Sequence, residues 1–161
     1  VFTEYAGSLM RGVQCADGGA GKEELPEHRR AGRVEGPLWE KVLTIDSLAP
    51  YVYDGCADIH FPIHSSPAFA RGVGLPGVIY QGTATLALAV REIANSEADG
   101  DPRRLRNVRC RFTGMVLTDT DIAVQILKKQ DGEDGTVVYF QVLNAEGKKA
   151  IKDGCVTVAA T

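Results

Sequence analysis

The chain has 161 residues, enough for one ordinary domain with a core of useful size and an added arm. Apolar residues make up 44% and charged residues 24%, as in an ordinary soluble globular protein. The formal charge of −3 argues against nucleic acid as the main partner, and no apolar run approaches the ~18 residues that span a bilayer, so no membrane partner is expected.

The first residues, "VFTEYAGSLMRGVQ" (1–14), have the makings of a strand. They carry Glu4 early and lack a basic start with an apolar centre, so they do not read as a secretory leader. The chain begins at Val1 rather than Met, which fits a trimmed chain or part of a longer polypeptide. "CADGGAGKEELPEHRRAGRVEGP" follows, rich in Gly, Pro and charge and without apolar periodicity. Residues 1–35 therefore read as an arm or linker, and residues 36–161 as the domain.

"LWEKVLTI" (38–45) alternates as a strand does. Asp46 is placed to cap a short helix, "SLAPYVYDG", whose length Pro50 limits. In "HSSPAFARGVG" a second short helix is expected, with Ser66 as N-cap, Pro67 at its first position and Gly72 or Gly74 at its end. "LPGVIYQG" then leads into "TATLALAVREIANSEA" (83–98), whose first half is apolar nearly all round and built of small residues. Such a helix is buried on most sides.

Four strands are expected after it: 105–116, 121–130, 135–145 and 148–160, joined by the turns "DGEDG" and "AEGK" in antiparallel hairpins. One strand, short helices, one long buried helix and four consecutive strands make an α+β architecture. An antiparallel sheet curved around the long central helix lets helix and sheet bury each other, as in the hot-dog fold.

Cys15, Cys56, Cys110 and Cys155 are far apart and form no C-x-x-C pair, so reduced, mostly buried thiols in a cytoplasmic protein are expected. The chemistry concentrates in "DGCADIHFPIHSSPAFARG" (54–72), where His60 and His64 lie four residues apart. A helical two-histidine metal face is opposed by Pro62 between them, and no third cluster of strong ligands appears, so no metal is expected. Partly buried structural histidines are the plain alternative. Against it stands Gly82 just before the buried helix, where free N–H groups at a helix start form an oxyanion site. A base and an oxyanion donor are two parts of an acyl-chemistry site.

"FPIH" (61–64), followed eighteen residues after His64 by Gly82 in "QG", resembles the MaoC-like, (R)-specific enoyl-CoA hydratases and dehydratases. Their pattern runs D-x-N-P-[IL]-H, then P-I-x-H-G, then a small-residue helix. "RFTGMVLTDTDIAV" (111–124) resembles the same family's R-F-x-x-P-V-x-P-G-D-x-L strand pair, and the likeness covers roughly residues 36 to 160. The arm resembles the last strand and linker between lobes of double-hot-dog members.

The resemblance implies addition of water to a 2-enoyl thioester of coenzyme A or an acyl carrier, or the reverse, with no metal or redox cofactor. It implies His64 and Asp58 as the water-activating pair and the Gly82 N–H as oxyanion donor, with His60, Phe61, Gln81 and Thr83 at the substrate. It also implies a homodimer or a paired lobe. The family's acid falls at Ile59, one step from Asp58; its Asn falls at Phe61 and the His of H-G at Gln81. Either a bulge returns Asp58 to the site, or His60 takes its role, or the acid is absent. Two other readings remain: a non-catalytic acyl-binding lobe, and a hot-dog thioesterase. The second is weakened because the start of the long helix has no acid and Glu92 lies far along it.

Overall fold

The computed structural model describes residues 2–8, 12–14, 16, 23, 26 and 29–160. The elements run β1 (Trp39–Ile45), α1 (Ala49–Ala57), a 3-10 turn at Pro62–His64, α2 (Pro67–Gly72), α3 (Gly82–Glu97), a second 3-10 turn at Pro102–Arg104, and then β2 (Leu105–Phe112), β3 (Thr120–Gly132), β4 (Gly135–Leu143) and β5 (Lys149–Val158). All pairs are antiparallel and the sheet order is β1-β3-β4-β5-β2. This is the hot-dog arrangement expected from the order of elements.

Alternation along the strands decides which face meets α3. Ile122, Val124 and Ile126 of β3, Val138, Phe140 and Val142 of β4, and Val156 and Val158 of β5 turn inward. They meet Ala84, Ala89 and Ile93 of α3 in one buried cluster. The alanines let the helix lie close to the sheet, because a short side chain keeps the two backbones near each other. On the outer face a row runs across β1, β3 and β4: Gln125 donates to Glu40 at 2.5 Å and Gln141 donates to Gln125 at 2.7 Å.

The arm differs from the expectation at its start. Residues 2–8 and 12–14, where a strand is expected, carry none; the rest of 1–14 lies outside the described residues. A strand needs a ladder partner, and these residues pair with neither edge strand of the sheet, β1 or β2. Near its end the arm touches the domain: Ala31 packs on Val137, Tyr139 and Cys155 on the outer sheet face.

Smaller differences lie at the helix starts and strand ends. Asp46 does not cap α1: it accepts from Leu48 N at 2.7 Å in the preceding turn, and Leu48 holds the N-cap position. Pro50 sits in the first turn of α1, where its missing N–H has no helical partner to lose. Ser66 caps α2 as expected, accepting from Phe69 N at 3.2 Å. β2 ends at Phe112, four residues early: Thr113 N and Gly114 N both donate to Ala150 O, at 2.9 and 3.3 Å, which breaks the one-to-one ladder. The cysteines are less uniform than expected: Cys155 is buried, Cys110 half-buried and Cys56 exposed, all as free thiols, while Cys15 lies outside the described residues.

Candidate functional site

The site is organised by residues 79–82, a short extended rail that ends at the start of α3. Tyr80 N donates to Val116 O at 2.8 Å, and Ile79 bridges to Leu117, so the rail is tied to the segment after β2. On its other side Ile79 N donates to Ile63 O at 3.3 Å, which brings the Pro62–His64 turn alongside. Pro62 starts that turn and Phe61 before it is extended, as the residue preceding a proline prefers.

His64 is half-buried and its Nδ1 lies 2.8 Å from Ile79 O. A carbonyl only accepts, so Nδ1 carries the proton and the neutral ring keeps its Nε2 lone pair. No partner among the described residues takes Nε2. This is the tautomer and orientation a general base needs. Three residues further along the rail, Gly82 opens α3. Its N–H has no acceptor among the described residues, and the sixteen-residue helix behind it adds its positive end. The rail thus carries a held imidazole at one end and a free N–H donor at the other.

The acid expected beside His64 is elsewhere. Asp58 closes α1 in the left-handed region (φ 53°), its side chain is 95% exposed, and it pairs with His60 Nε2 at 2.8 Å. The extra residue between Asp58 and the Pro62–His64 turn is spent in this exposed loop rather than in a bulge that would aim the carboxylate at His64. Phe61 stands edge-on to the His64 ring, centroids 6.1 Å apart and planes at 70°, and so lines one side of it. Thr83 is exposed beside Gly82.

Gln81, expected at the substrate, faces the protein interior instead. It is 2% exposed, and its Nε2 donates to Pro50 O at 2.9 Å and to Asp54 Oδ1 at 2.5 Å. Both acceptors belong to α1, so Gln81 staples α1 to the start of α3. Sequence reading missed Asp54, because an acid in a short helix reads as solvent-facing; it is buried, at 7% exposure. It missed Phe112 as well. A Cβ built on Gly82 would fall 3.0 Å from Phe112 Cδ1, so the ring covers that face of the glycine. Phe112 thus occupies the side that a Cβ would take, and the Gly82 N–H remains open. Glu92 bonds to its neighbour Arg91 at 2.7 Å, ten residues from Gly82 and about 15 Å along the helix, too far to direct water at a carbonyl held there.

No helix among the described residues is long and apolar enough to cross a membrane. Two clefts of about 280 and 230 Å³ open near the β3–β4 turn, and neither includes a residue of the rail or of the Pro62–His64 turn.

Known proteins bear on the family and the fold. The fatty acid synthase beta subunit pkiC of Emericella nidulans is 33% identical over 106 residues, 64% of this chain and 6% of that protein. The protein named Probable enoyl-CoA hydratase 2 of Dictyostelium discoideum is 23% identical over 154 residues, 96% of this chain and 51% of that protein. The chain thus spans from a small fraction to about half the length of these relatives. Among solved structures, a MaoC-like dehydratase from Phytophthora capsici superposes with a TM-score of 0.74 at 22% identity, over 85% of this chain and 46% of that one. The (R)-hydratase from A. caviae superposes with a TM-score of 0.68 at 16% identity, over 81% of this chain and all of that one. Residues 43–157 match the family described as MaoC like domain, and the chain belongs to that family.

Proposed function

We propose that the chain adds water across the double bond of a 2-enoyl thioester, or removes it from the 3-hydroxyacyl thioester, with His64 as base and the Gly82 N–H as oxyanion donor. The observation that carries this reading is the 2.8 Å contact of His64 Nδ1 with Ile79 O, which puts the lone pair of the neutral ring on Nε2 and ties the ring to the segment that reaches the open Gly82 N–H three residues after Ile79. In hydration Nε2 takes a proton from water as the oxygen bonds to C3. The C2=C3 π electrons move toward the thioester carbonyl, whose developing negative oxygen accepts from Gly82 N–H. The imidazolium formed returns its proton to C2, so one histidine balances the addition. The thioester itself acidifies C2, and no metal or redox cofactor enters the scheme.

Asp58 and His60 form the second polar element in this proposal, a pair at the mouth of the site with Asp58 holding the His60 ring. Phe61 and Thr83 border the substrate. The exposure of Asp58 favours one competing reading: an acyl-binding lobe whose chemistry is done elsewhere. The lobe would pair with a second hot-dog unit, in the same polypeptide or as a second copy, along the free edge of β2. Exposed Val108, Phe112 and Met115 on and after that strand, and the match of nearly the whole chain to only half of a hydratase 2, support that pairing.

The test is loss of enoyl absorbance from trans-2-butenoyl-CoA. Turnover that falls at least about 100-fold in His64→Ala supports the hydratase. Release of free thiol instead identifies a thioesterase. Tight binding of the thioester without turnover, unchanged by His64→Ala, identifies the binding lobe and sinks the catalytic assignment.

A further inference from the structure

We propose that Asp54 is a positioning residue for the oxyanion donor, acting through Gln81; this rests on the reading of Gly82 given above. Asp54 is the one charged side chain that is buried among the described residues. A buried carboxylate is costly unless a hydrogen bond compensates it, and the side-chain bond it makes is to Gln81. The two hydrogens of Gln81 Nε2 are both used, one on Asp54 Oδ1 and one on Pro50 O. Gln81 Oε1 is left buried without a donor.

That orphaned oxygen shows what selects the arrangement. Turning the amide over would satisfy nothing, because Oε1 would then face a carboxylate and a carbonyl, both acceptors. The carboxylate therefore fixes the amide in one orientation, and Oε1 goes without a partner as a result. Such an unmet buried group in a native fold calls for a reason.

The reason proposed is the peptide plane that follows. Gln81 is the N-cap of α3 with ψ 138°, and its side chain makes no capping bond to its own helix. Rotation about that ψ turns the Gln81–Gly82 peptide, and with it the Gly82 N–H. Two restraints hold it. The Gln81 carbonyl accepts from Thr85 N and from Thr85 Oγ1, each at 3.0 Å. The side chain is held by Asp54 and Pro50 on α1. With one end of the residue tied to α3 and the other to α1, the N–H keeps one direction before any substrate arrives. Preorganised donors of this kind act on the transition state more than on binding.

The experiment compares Asp54→Ala and Asp54→Asn in the full chain. The readouts are kcat and KM for trans-2-butenoyl-CoA, and amide hydrogen exchange at Gly82 and Thr85. Asparagine retains an oxygen that accepts from Gln81 Nε2, whereas alanine does not. Asp54→Ala is expected to lower kcat at least about tenfold with KM within about twofold, and to speed exchange at Thr85. Asp54→Asn is expected to recover most of both losses. Wild-type kcat in Asp54→Ala, or a loss confined to KM, overturns the proposal. So does an Asp54→Asn as impaired as Asp54→Ala while Thr85 exchange stays slow, which would make Asp54 a proton-transfer group. If the wild-type protein turns over no enoyl thioester, the functional reading fails separately. Exchange then decides the link: acceleration at Thr85 in Asp54→Ala that Asp54→Asn reverses upholds it, and its absence refutes it. Should Asp54→Ala not fold, Gln81→Met keeps the chain length, deletes the amide and is expected to show the same kcat loss and faster exchange; wild-type values in it overturn the link.

Discussion

A methyl group on Gly82 would meet the Phe112 ring at 3.0 Å, closer than ordinary contacts, while the ring itself is half-exposed and able to yield. Gly82→Ala is therefore expected to cost about 1 kcal/mol or less in urea unfolding and to lower turnover by displacing the ring. Phe112→Ala in the same chain is expected to restore part of that turnover; no recovery would mean that the glycine is required by the ligand instead. Asp58 stands at the other extreme. Its pair with His60 is open to solvent, and exposed ion pairs contribute little, so Asp58→Asn should leave thermal stability nearly unchanged. Any loss it causes in turnover then reports chemistry rather than folding. Cys110 is a third case: burial, with Cys155 nearby, pushes its thiol up from 9.0 to about 11. The folded state thus favours the protonated thiol. That stability is whole below pH 9 and is lost as pH rises toward the folded value of about 11. Urea midpoints at about pH 8 and about pH 10.5 should fall less steeply in Cys110→Ala than in wild type.

At the scale of elements, the turn between β3 and β4 shows how little room the hairpin leaves. Gly135 has φ +122°, a region L side chains rarely adopt, and a Cβ there would collide with the Val158 carbonyl on β5. Gly135→Ala is expected to destabilise the protein by at least about 2 kcal/mol in urea unfolding. The helices were legible to the extent that their caps were local. "SSPAFARG" carries its cap, Ser66, and its first-turn proline, Pro67, side by side, and α2 forms where expected. α1 was harder: Asp46 is a good N-cap by type, yet its oxygen takes the Leu48 N–H in a turn before the helix begins. The small-residue run of α3 announced a helix, but not its burial on most sides: Ala84, Thr85, Ala89, Ile93 and Ala94 are buried, while Thr83 and Ala87 are exposed and Leu86 and Leu88 half-buried.

For the whole molecule, the unfinished business is at the edges. β1 and β2 both border the sheet, and β2 shows Val108, Phe112 and Met115 to solvent. An apolar sheet edge of this kind is a site for pairing. If a second copy covers it, Val108→Lys should shift the mass measured by light scattering from dimer toward monomer; a wild-type protein monomeric at high concentration would remove the second copy as the partner.

The sequence by itself determined the architecture, because strand alternation, turn residues and one long apolar helix are local patterns that a sheet wrapped on a helix satisfies together. It also determined the separation of His64 from Gly82 and so the family resemblance. Only the tertiary structure decided what stands next to each of them. Asp58, one residue out of step, was left with His60 in an exposed loop. Gln81 turned inward to a buried acid four residues earlier in the chain than Asp58. Phe112, thirty residues after Gly82, closed over it. These are contacts between segments distant in the chain, set by how α1, α3 and β2 pack, and no local pattern of residue types encodes their direction.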